Sequence, residues 1–232
     1  MWLRAATVER CALRRFYRGA VYIHDVPVHV IDHPVAQDAL ASLRDKTTRT
    51  SQFRQLARRI SLILAAEVSR DLPTVAVTID TPLEPTPCRQ LQADVVVVPV
   101  LRAGLGMLEA VLELLPHARV GHIGLQRDEA TAVASQYYKK LPPDLSRSTA
   151  IIIDPMLATG GSAVAAIEML QRAGAQDIRL LCIVAAPEGI AEVERAHPGV
   201  HVYTPAIDRE LNPHKFILPG LGDFGDRLYG TV

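Results

Sequence analysis

The feature that most constrains the fold of this chain is a regular alternation, starting at Asp94, of short apolar segments and helical patterns. The predicted strands cover residues 95–101, 119–125, 150–153, 178–186 and 200–203. The helical patterns between them cover residues 104–115, 162–173 and 188–197. Continuous apolar runs are typical of strands covered on both faces, and strands that alternate with helices predict a parallel sheet flanked by helices. The fold class predicted is therefore α/β.

Two more helices and a strand are predicted upstream. The first helix is indicated by apolar residues at i, i+3, i+4 and i+7, namely Ala36, Ala39, Leu40 and Leu43. The second carries its apolar face on Phe53, Leu56, Ala57, Ile60 and Leu64, with Thr50 or Ser51 as its N-cap. Val75, Val77 and Ile79 alternate as in a half-buried strand, and the proline-rich residues 82–92 predict a turn or a loose hairpin.

Length and composition predict one domain over residues 26–232. The chain has 232 residues, of which 49% are hydrophobic, which is enough for a large buried core. Residues 1–25 are predicted to be an extension, either disordered or produced by a start codon assigned too far upstream. The first 20 residues hold five arginines and one acid, a composition that also suits a transit peptide, although serine is scarce there.

Charge and cysteine content exclude several classes of function. The formal net charge is +0, which gives no support to nucleic-acid or membrane-surface binding by overall electrostatics. No apolar stretch reaches 18 residues, so no transmembrane helix is expected. The three cysteines are widely spaced and odd in number, which disfavours both a disulfide framework and a zinc site and fits a reducing cytoplasm. Cys182 is expected to be a buried core thiol.

The strongest functional signal is the segment that follows the predicted strand 150–153. It runs Asp154-Pro155-Met156-Leu157-Ala158-Thr159-Gly160-Gly161-Ser162 and leads into a helix. Backbone amides of such a loop, together with the helix N-terminus, form a cradle for a phosphate, and the Asp154 carboxylate could accept hydrogen bonds from two sugar hydroxyls. A sugar phosphate would satisfy both features. The alternative is an ordinary turn with Ser162 as the N-cap, which the full string makes improbable.

A second signal follows the predicted strand 95–101. Arg102 lies in a tight turn before Gly104, and a guanidinium group binds phosphate oxygens in a forked geometry, which suits a pyrophosphate. The alternative, a surface arginine at a helix start, is disfavoured by the helix dipole.

Two further segments are weaker candidates. Arg127-Asp128-Glu129 and Tyr137-Tyr138-Lys139-Lys140 lie in a long polar excursion that is typical of a lid, although a solvated hairpin is the alternative. Residues 216–227 form a glycine-rich loop whose backbone groups could pair with the edge of a flat base, unless they are a simple tail. Asp208, Glu210 and His214 favour a turn network over a metal site, and His24, His29 and His33 are expected to be solvated or structural.

Together these strings resemble the uracil phosphoribosyltransferases over residues 33–232. The most specific are Leu101-Arg102-Ala103-Gly104-Leu105-Gly106, residues 154–162, Ala185-Ala186-Pro187-Glu188-Gly189-Ile190 and Pro219-Gly220-Leu221-Gly222-Asp223. The resemblance implies a type I phosphoribosyltransferase core with a β-rich lid or hood. It also implies the transfer of a phosphoribosyl group from phosphoribosyl pyrophosphate (PRPP) to uracil, with UMP and diphosphate as products.

The resemblance assigns roles to individual residues. It implies that residues 154–162, Arg102, Arg127 and Asp223 bind PRPP, with Asp154, Arg102 and Asp223 as the catalytic residues. It implies that the uracil site is formed by Ile217, Gly222, Asp223 and Phe224. Mg²⁺ is expected to arrive with PRPP rather than on protein side chains, GTP is implied as an activator, and the chain is expected to form a homodimer or a larger homo-oligomer. Related enzymes also suggest a cis or otherwise strained peptide within Leu101-Arg102-Ala103.

Two alternatives to this function remain open on the sequence. One is transfer to another base, such as orotate or a purine; the other is a non-catalytic regulator that binds nucleotides or RNA on the same fold. The intact Asp154 and Arg102 loops and the neutral charge favour the enzyme. The chain also departs from many relatives at Ala130, where a second acid is common, and at Gln136, where a proline often precedes the tyrosine pair.

Overall fold

A computed structural model describes the backbone of residues 20–23, 26–127 and 134–231 and the side chains of residues 28–126 and 135–231. The helices are α1 (Pro34–Arg44), α2 (Thr50–Val68), α3 (Leu105–Leu114), α4 (Gly161–Arg172), α5 (Pro187–Ala196) and α6 (Phe224–Tyr229). The strands are β1 (Ala20–Ile23), β2 (Val26–Val30), β3 (Thr74–Asp80), β4 (Pro85–Leu91), β5 (Asp94–Leu101), β6 (Arg119–Val120), β7 (His122–Arg127), β8 (Ala134–Lys140), β9 (Ser148–Ile153), β10 (Met156–Leu157), β11 (Asp177–Leu181), β12 (Val184–Ala185), β13 (His201–Thr204), β14 (Glu210–Leu211) and β15 (Ile217–Leu218).

The main sheet has the strand order β1-β2-β13-β11-β9-β5-β7-β8, and β6 also pairs with β5. The central strands from β2 to β7 are parallel, and β1 and β8 pair antiparallel at the two edges. After β5 the chain moves to β6 and β7 on one side, and it then returns to place β9 on the other side of β5. This reversal creates a topological switch point between β5 and β9, where ligands bind in open α/β sheets.

Alternate residues of the central strands enter two separate cores. Val95 and Val97 face the core that is shared with α1, α2, α3 and α6, whereas Val96 and Val98 face the core that is shared with α4 and α5. This arrangement confirms the prediction of a parallel sheet with helices on both faces. Cys182 is fully buried in the second core, as predicted, and burial raises the pKa of its thiol to about 12.

Several predicted elements differ in detail from the structure. Helix α2 begins at Thr50 with Arg49 as its N-cap, so neither Thr50 nor Ser51 caps it. Of the turn or loose hairpin predicted over residues 82–92, the structure has the hairpin, with β3 and β4 in regular antiparallel pairing. The predicted half-buried face of β3 is wrong, because Val75 and Ile79 are exposed. Residues 178–186 divide into β11 and β12, because the amides of Ile183 and Val184 turn away from the main sheet to donate to Pro155 O.

The sheet extends into the region predicted as an N-terminal extension. Residues Ala20–Ile23 form β1, which pairs antiparallel with β2. Residues 1–19, which carry all five arginines of the predicted extension, lie outside the described residues. Within the described residues, no helix combines the length and apolar character needed to cross a membrane.

A histidine pair joins β2 to the neighbouring strand β13. His29 Nε2 lies 3.0 Å from His201 Nδ1, and the His29 ring stacks on Tyr203 with a centroid separation of 4.2 Å. Burial and the neighbouring His201 lower the pKa of His29 to about 4, and burial followed by the charge of Arg179 lowers the pKa of His201. Because one nitrogen of the pair must accept the hydrogen bond, two protonated rings cannot keep it. His29 therefore has the structural role that the sequence left open.

This pair predicts a specific sensitivity to acid. The pKa of His29 is lowered in the folded state, so its stabilising contribution is full above pH 6.5 and is lost as the pH falls towards 4. We expect the loss in free energy of unfolding between pH 7.5 and pH 5 to be about 1–3 kcal/mol smaller in His29→Gln than in the wild type. Urea unfolding of the wild type and the variant at pH 7.5 and pH 5 measures the difference. His117→Gln, in the exposed turn after α3, is the control. An equal loss of unfolding free energy at pH 5 in all three proteins would contradict the prediction.

Candidate active site

The two strongest signals of the sequence lie side by side at the switch point. β5 and β9 pair in parallel with Pro99 opposite Ile153, so the turns that follow them leave the sheet at the same edge. The turn after β5 packs against the last residue of β9, because a Cβ atom on Gly104 would lie only 2.3 Å from Ile153 O. A larger residue at position 104 would push the Arg102 turn away from Asp154.

Residues 154–162 form a loop that is held from behind by backbone hydrogen bonds. Pro155 O accepts from the amides of Ile183 and Val184 at 2.9 and 3.1 Å, and Leu157 O accepts from Ala186 N at 2.8 Å. The loop surrounds a pocket lined by Asp154, Met156, Leu157, Ala158, Thr159, Gly160, Ser162, Ala163 and Leu180. Of the predicted loop residues, Pro155 and Gly161 are therefore the ones that do not line it.

The loop ends on the N-terminus of α4. Gly160 is the N-cap with φ 83°, a left-handed conformation that favours glycine, so the alternative in which Ser162 caps the helix is wrong. The first turn of a helix has amides without intrahelical acceptors, and the helix dipole adds positive potential there. The pocket therefore combines an anion-binding helix end with the carboxylate of Asp154 at its other side.

The environment of Asp154 favours its neutral form when no ligand is bound. Burial raises the pKa of its carboxyl group to about 7, against a weak lowering by Met156 N, which lies 3.5 Å from Oδ1. A carboxylate held here without a strong partner is suited to accept hydrogen bonds from ligand hydroxyls, which would favour its ionised form.

Helix α5 supports the loop through a residue whose role the sequence did not assign. A Cβ atom on Gly189 would lie 2.5 Å from Ala158 O and 2.8 Å from Leu157 O. The glycine in the Ala186-Pro187-Glu188-Gly189 string therefore allows α5 to touch the backbone of the loop. The available signal for this role was the position of Gly189 in the first turn of α5, shortly after β12, the strand that pairs with β10 of the loop.

We expect Gly189→Ala to displace the loop and to raise the KM for the phosphate-bearing substrate by about three- to tenfold, because displacements well below 1 Å already weaken aligned contacts. Steady-state kinetics measure the change. Gly199→Ala is the matched control, since a Cβ atom there meets nothing within 4 Å. Equal kinetics in both variants would contradict the role of Gly189.

The turn after β5 presents Arg102 to solvent at the same edge. The Leu101-Arg102 peptide bond is cis, which confirms the prediction made for this turn. The Arg102 side chain is 63% exposed, and its Nη2 lies 3.7 Å from Asp226 Oδ1 in α6. Tyr229 Oη donates to Arg102 O at 3.1 Å. The guanidinium is thus lightly held and available to an anion.

The C-terminal loop separates the predicted base-binding residues into two groups. Gly222 and Asp223 are exposed, and the Asp223 side chain accepts from Asp226 N at 2.9 Å as the N-cap of α6. The side chains of Ile217 and Phe224 are buried, and Phe224 packs edge-to-face on Phe53 at 5.1 Å. Phe224 can therefore offer its backbone, but not its ring, to a ligand.

The predicted lid is described only in part. β7 and β8 form an antiparallel hairpin with a bulge between Gly124 and Leu125, and Tyr137 and Tyr138 are exposed on it. The side chain of Arg127 and residues 128–133, including Asp128, Glu129 and Ala130, lie outside the described residues. The contribution of Arg127 stays a prediction.

The described side chains include no group of three or more His, Cys, Asp or Glu residues placed to hold a metal ion. Asp208, Glu210 and His214 do not form one, because Asp208 pairs with Arg44 at 2.6 Å in a turn network, as expected. Mg²⁺ usually keeps several waters and is held through one or two carboxylates together with substrate phosphates. The carboxylate of Asp154, which lines the anion pocket, fits this mode of binding.

Comparison with known proteins decides the family. The sequence profile of uracil phosphoribosyltransferases matches residues 30–231. The chain belongs to the uracil phosphoribosyltransferase family. It is 51% identical over 205 residues to a uracil phosphoribosyltransferase of Symbiobacterium thermophilum, covering 88% of this chain and 98% of that protein. A uracil phosphoribosyltransferase of Dictyoglomus turgidum is also 51% identical over 205 residues, covering 88% of this chain and 99% of its own.

Solved structures support the fold. The AQ2163 protein of Aquifex aeolicus superposes with a TM-score of 0.83 at 32% identity, covering 87% of this chain and 97% of that one. An adenine phosphoribosyltransferase of Leishmania tarentolae superposes with a TM-score of 0.56 at 13% identity over 85% of this chain and 98% of its own, which supports the fold alone. The type I phosphoribosyltransferase fold inferred from the sequence is thus confirmed.

Proposed function

We propose that this protein is a uracil phosphoribosyltransferase that converts uracil and PRPP to UMP and diphosphate in pyrimidine salvage. The observation that carries the proposal is the adjacency of the Asp154 loop and the Arg102 turn at the β5–β9 switch point. One supplies an anion cradle with a carboxylate, and the other supplies an exposed guanidinium. A ribose that carries a phosphate at one end and a pyrophosphate at the other needs both.

PRPP is proposed to bind with its 5′-phosphate at the N-terminus of α4 and its ribose hydroxyls on Asp154. Residues 154–162 would then surround the sugar phosphate, and Arg102 and Arg127 would pair with the pyrophosphate. A forked guanidinium matches phosphate oxygens in two parallel hydrogen bonds, which supports an arginine in this role. Asp223, exposed at the start of α6, is proposed to reach PRPP as well.

Uracil is proposed to bind against the C-terminal loop through backbone groups. Ile217 and Phe224 have buried side chains, while Gly222 has none, so the edge of the base would meet amide and carbonyl groups rather than side chains. Backbone donors and acceptors at fixed positions distinguish bases by the pattern of hydrogen bonds along their edge. The choice of uracil over another flat base is supported by membership of the uracil phosphoribosyltransferase family.

The reaction breaks the C1′–O bond to pyrophosphate and forms the C1′–N1 bond to uracil. Positive charge develops on the ribose, and negative charge grows on the leaving pyrophosphate. Arg102 would stabilise the leaving group, and Asp154 would hold the ribose in the orientation that exposes C1′ to the base. Mg²⁺ bound to PRPP would add charge neutralisation to the same pyrophosphate.

Three expectations about the context of the reaction are also proposals. Activation by GTP and assembly into a homodimer or a larger homo-oligomer rest on the resemblance to the family. A cytoplasmic location is supported by Cys88 and Cys182, both of which are free thiols. Assays with and without GTP, and light scattering on the purified protein, test the first two.

The function is tested by measuring nucleotide formation from PRPP and Mg²⁺ with uracil, orotate, hypoxanthine and xanthine in parallel. We expect UMP from uracil and little product from the other three bases. Product from a different base would move the proposal to that base. Nucleotide binding without any transfer would favour a non-catalytic regulator.

A further inference from the structure

Asp208 is a buried carboxylate in the loop after β13 that makes contacts to two distant segments. It is 8% exposed, and its two oxygens accept from Arg44 Nη1 and Nη2 at 2.7 and 2.6 Å in a forked pair. Arg44 is the last residue of α1, so the pair ties α1 to the loop after β13.

The same pair holds both backbone groups of Gly220. Asp208 Oδ2 accepts from Gly220 N at 2.8 Å, and Arg44 Nη1 donates to Gly220 O at 2.7 Å. Gly220 lies between Ile217 and Gly222, the residues proposed to meet uracil. Two charged groups thus fix the peptide groups on either side of Gly220, in the middle of residues 217–224, here called the base-binding loop. Hydrogen bonds to charged groups are stronger than those between neutral groups.

Asp208 is also joined by backbone contacts to residues 154–162, the loop proposed to bind PRPP and here called the PRPP loop. Its amide donates to Ala185 O at 2.8 Å, and Ala185 pairs with Leu157 in the β10–β12 ladder. A continuous path therefore runs from the loop around the sugar phosphate, through Asp208, to the loop at the base. The separation between the two substrates depends on this path.

We propose that Asp208 and Arg44 are positioning residues that set the base-binding loop against the PRPP loop, an inference that rests on the proposed function. Neither side chain needs to touch a substrate. Their effect should fall on uracil more than on PRPP, because the backbone ladder to Leu157 does not depend on the Asp208 side chain. Arg227 holds Leu221 O separately at 2.7 Å, so loss of the Asp208 contacts should loosen the loop without unfolding the segment.

The test measures KM for uracil at saturating PRPP, and KM for PRPP at saturating uracil, in Asp208→Asn. We expect KM for uracil to rise by about five- to tenfold, with less than a twofold change for PRPP. An asparagine has one acceptor oxygen and no charge, so it cannot accept both arms of the Arg44 fork and holds Gly220 N by a weaker, neutral hydrogen bond. Arg44→Lys, which cannot form the forked pair, should show the same selective rise and gives the answer if Asp208→Asn does not fold.

The double variant and a matched control separate positioning from loss of stability. If the two residues act as one unit, the double variant should be no worse for uracil than the worse single variant. Asp94→Asn removes another forked partner, that of Arg119. Asp94 is the first residue of β5, at the opposite end of that strand from the site, so this variant should leave both KM values unchanged. Equal rises for both substrates, or no change in either single variant, would overturn the inference. A wild type that makes no UMP would instead overturn the proposed function.

Discussion

Asp154→Asn is expected to slow UMP formation by about ten- to a hundredfold, because one charge-assisted contact to the ribose is worth about 1.5–3 kcal/mol. The same variant is expected to be more stable than the wild type when no ligand is bound. Burial raises the pKa of Asp154 from 3.8 to about 7, so the folded state holds its proton more tightly than the unfolded state does. The resulting destabilisation develops as the pH rises from about 4 and is complete above 7.

At pH 8 an amide, which carries no charge, avoids this destabilisation. We expect Asp154→Asn to raise the free energy of unfolding by about 2–4 kcal/mol at pH 8 and to change it little near pH 4. Urea unfolding at both pH values, with kinetics on the same samples, measures the two effects together. Opposite changes in stability and activity at one residue are typical of groups kept for function.

Asp94→Asn is the control for this experiment. A hydrogen bond from Ser148 lowers the pKa of Asp94, so loss of its charge should decrease stability at pH 8 and leave activity unchanged. Normal kinetics in Asp154→Asn would show that Asp154 is not an active-site residue. Lower stability of that variant at pH 8 would contradict the account of its burial.

Arg102→Ala is expected to raise KM for PRPP by about ten- to a hundredfold and KM for uracil far less. Only PRPP carries the charge that a guanidinium pairs with, and a charge-assisted contact of this kind is worth about 1.5–3 kcal/mol. The side chain is 63% exposed and makes one long ion pair, so its removal should not alter folding. Separate titrations of PRPP and uracil measure the two constants.

Two further variants sharpen the Arg102 experiment. Arg102→Lys keeps the charge but not the fork, so its KM for PRPP should lie between those of the wild type and the alanine variant. Arg172→Ala removes a side chain of similar exposure, 70%, at the far end of α4 and should have no effect. Equal losses for both substrates in Arg102→Ala would mean that the residue supports the site in general.

Local sequence was enough to locate the two main loops of the site. Asp154 and Arg102 each follow a continuous apolar run and precede a helical pattern, and parallel strands place such turns at one edge of a sheet. The role of Gly189 could not be derived in the same way, because it depends on how closely α5 approaches the PRPP loop. The histidine pair was missed for a similar reason: His29 and His201 are 172 residues apart along the chain and meet only through strand pairing.

The sequence by itself determined the class of fold, the main strands and helices between Asp94 and Thr204 and the residues that carry the family resemblance, but it predicted an irregular loop where β15 and α6 lie. The features that it determined depend on the period of apolar residues and on turn chemistry, both of which are local. Only the tertiary structure decided that β9 returns beside β5, that the ring of Phe224 belongs to the core and that Asp208 joins Arg44 to Gly220. Such features depend on which distant segments pack together, and the free energy of burial that selects them is shared by many residues rather than encoded at any one.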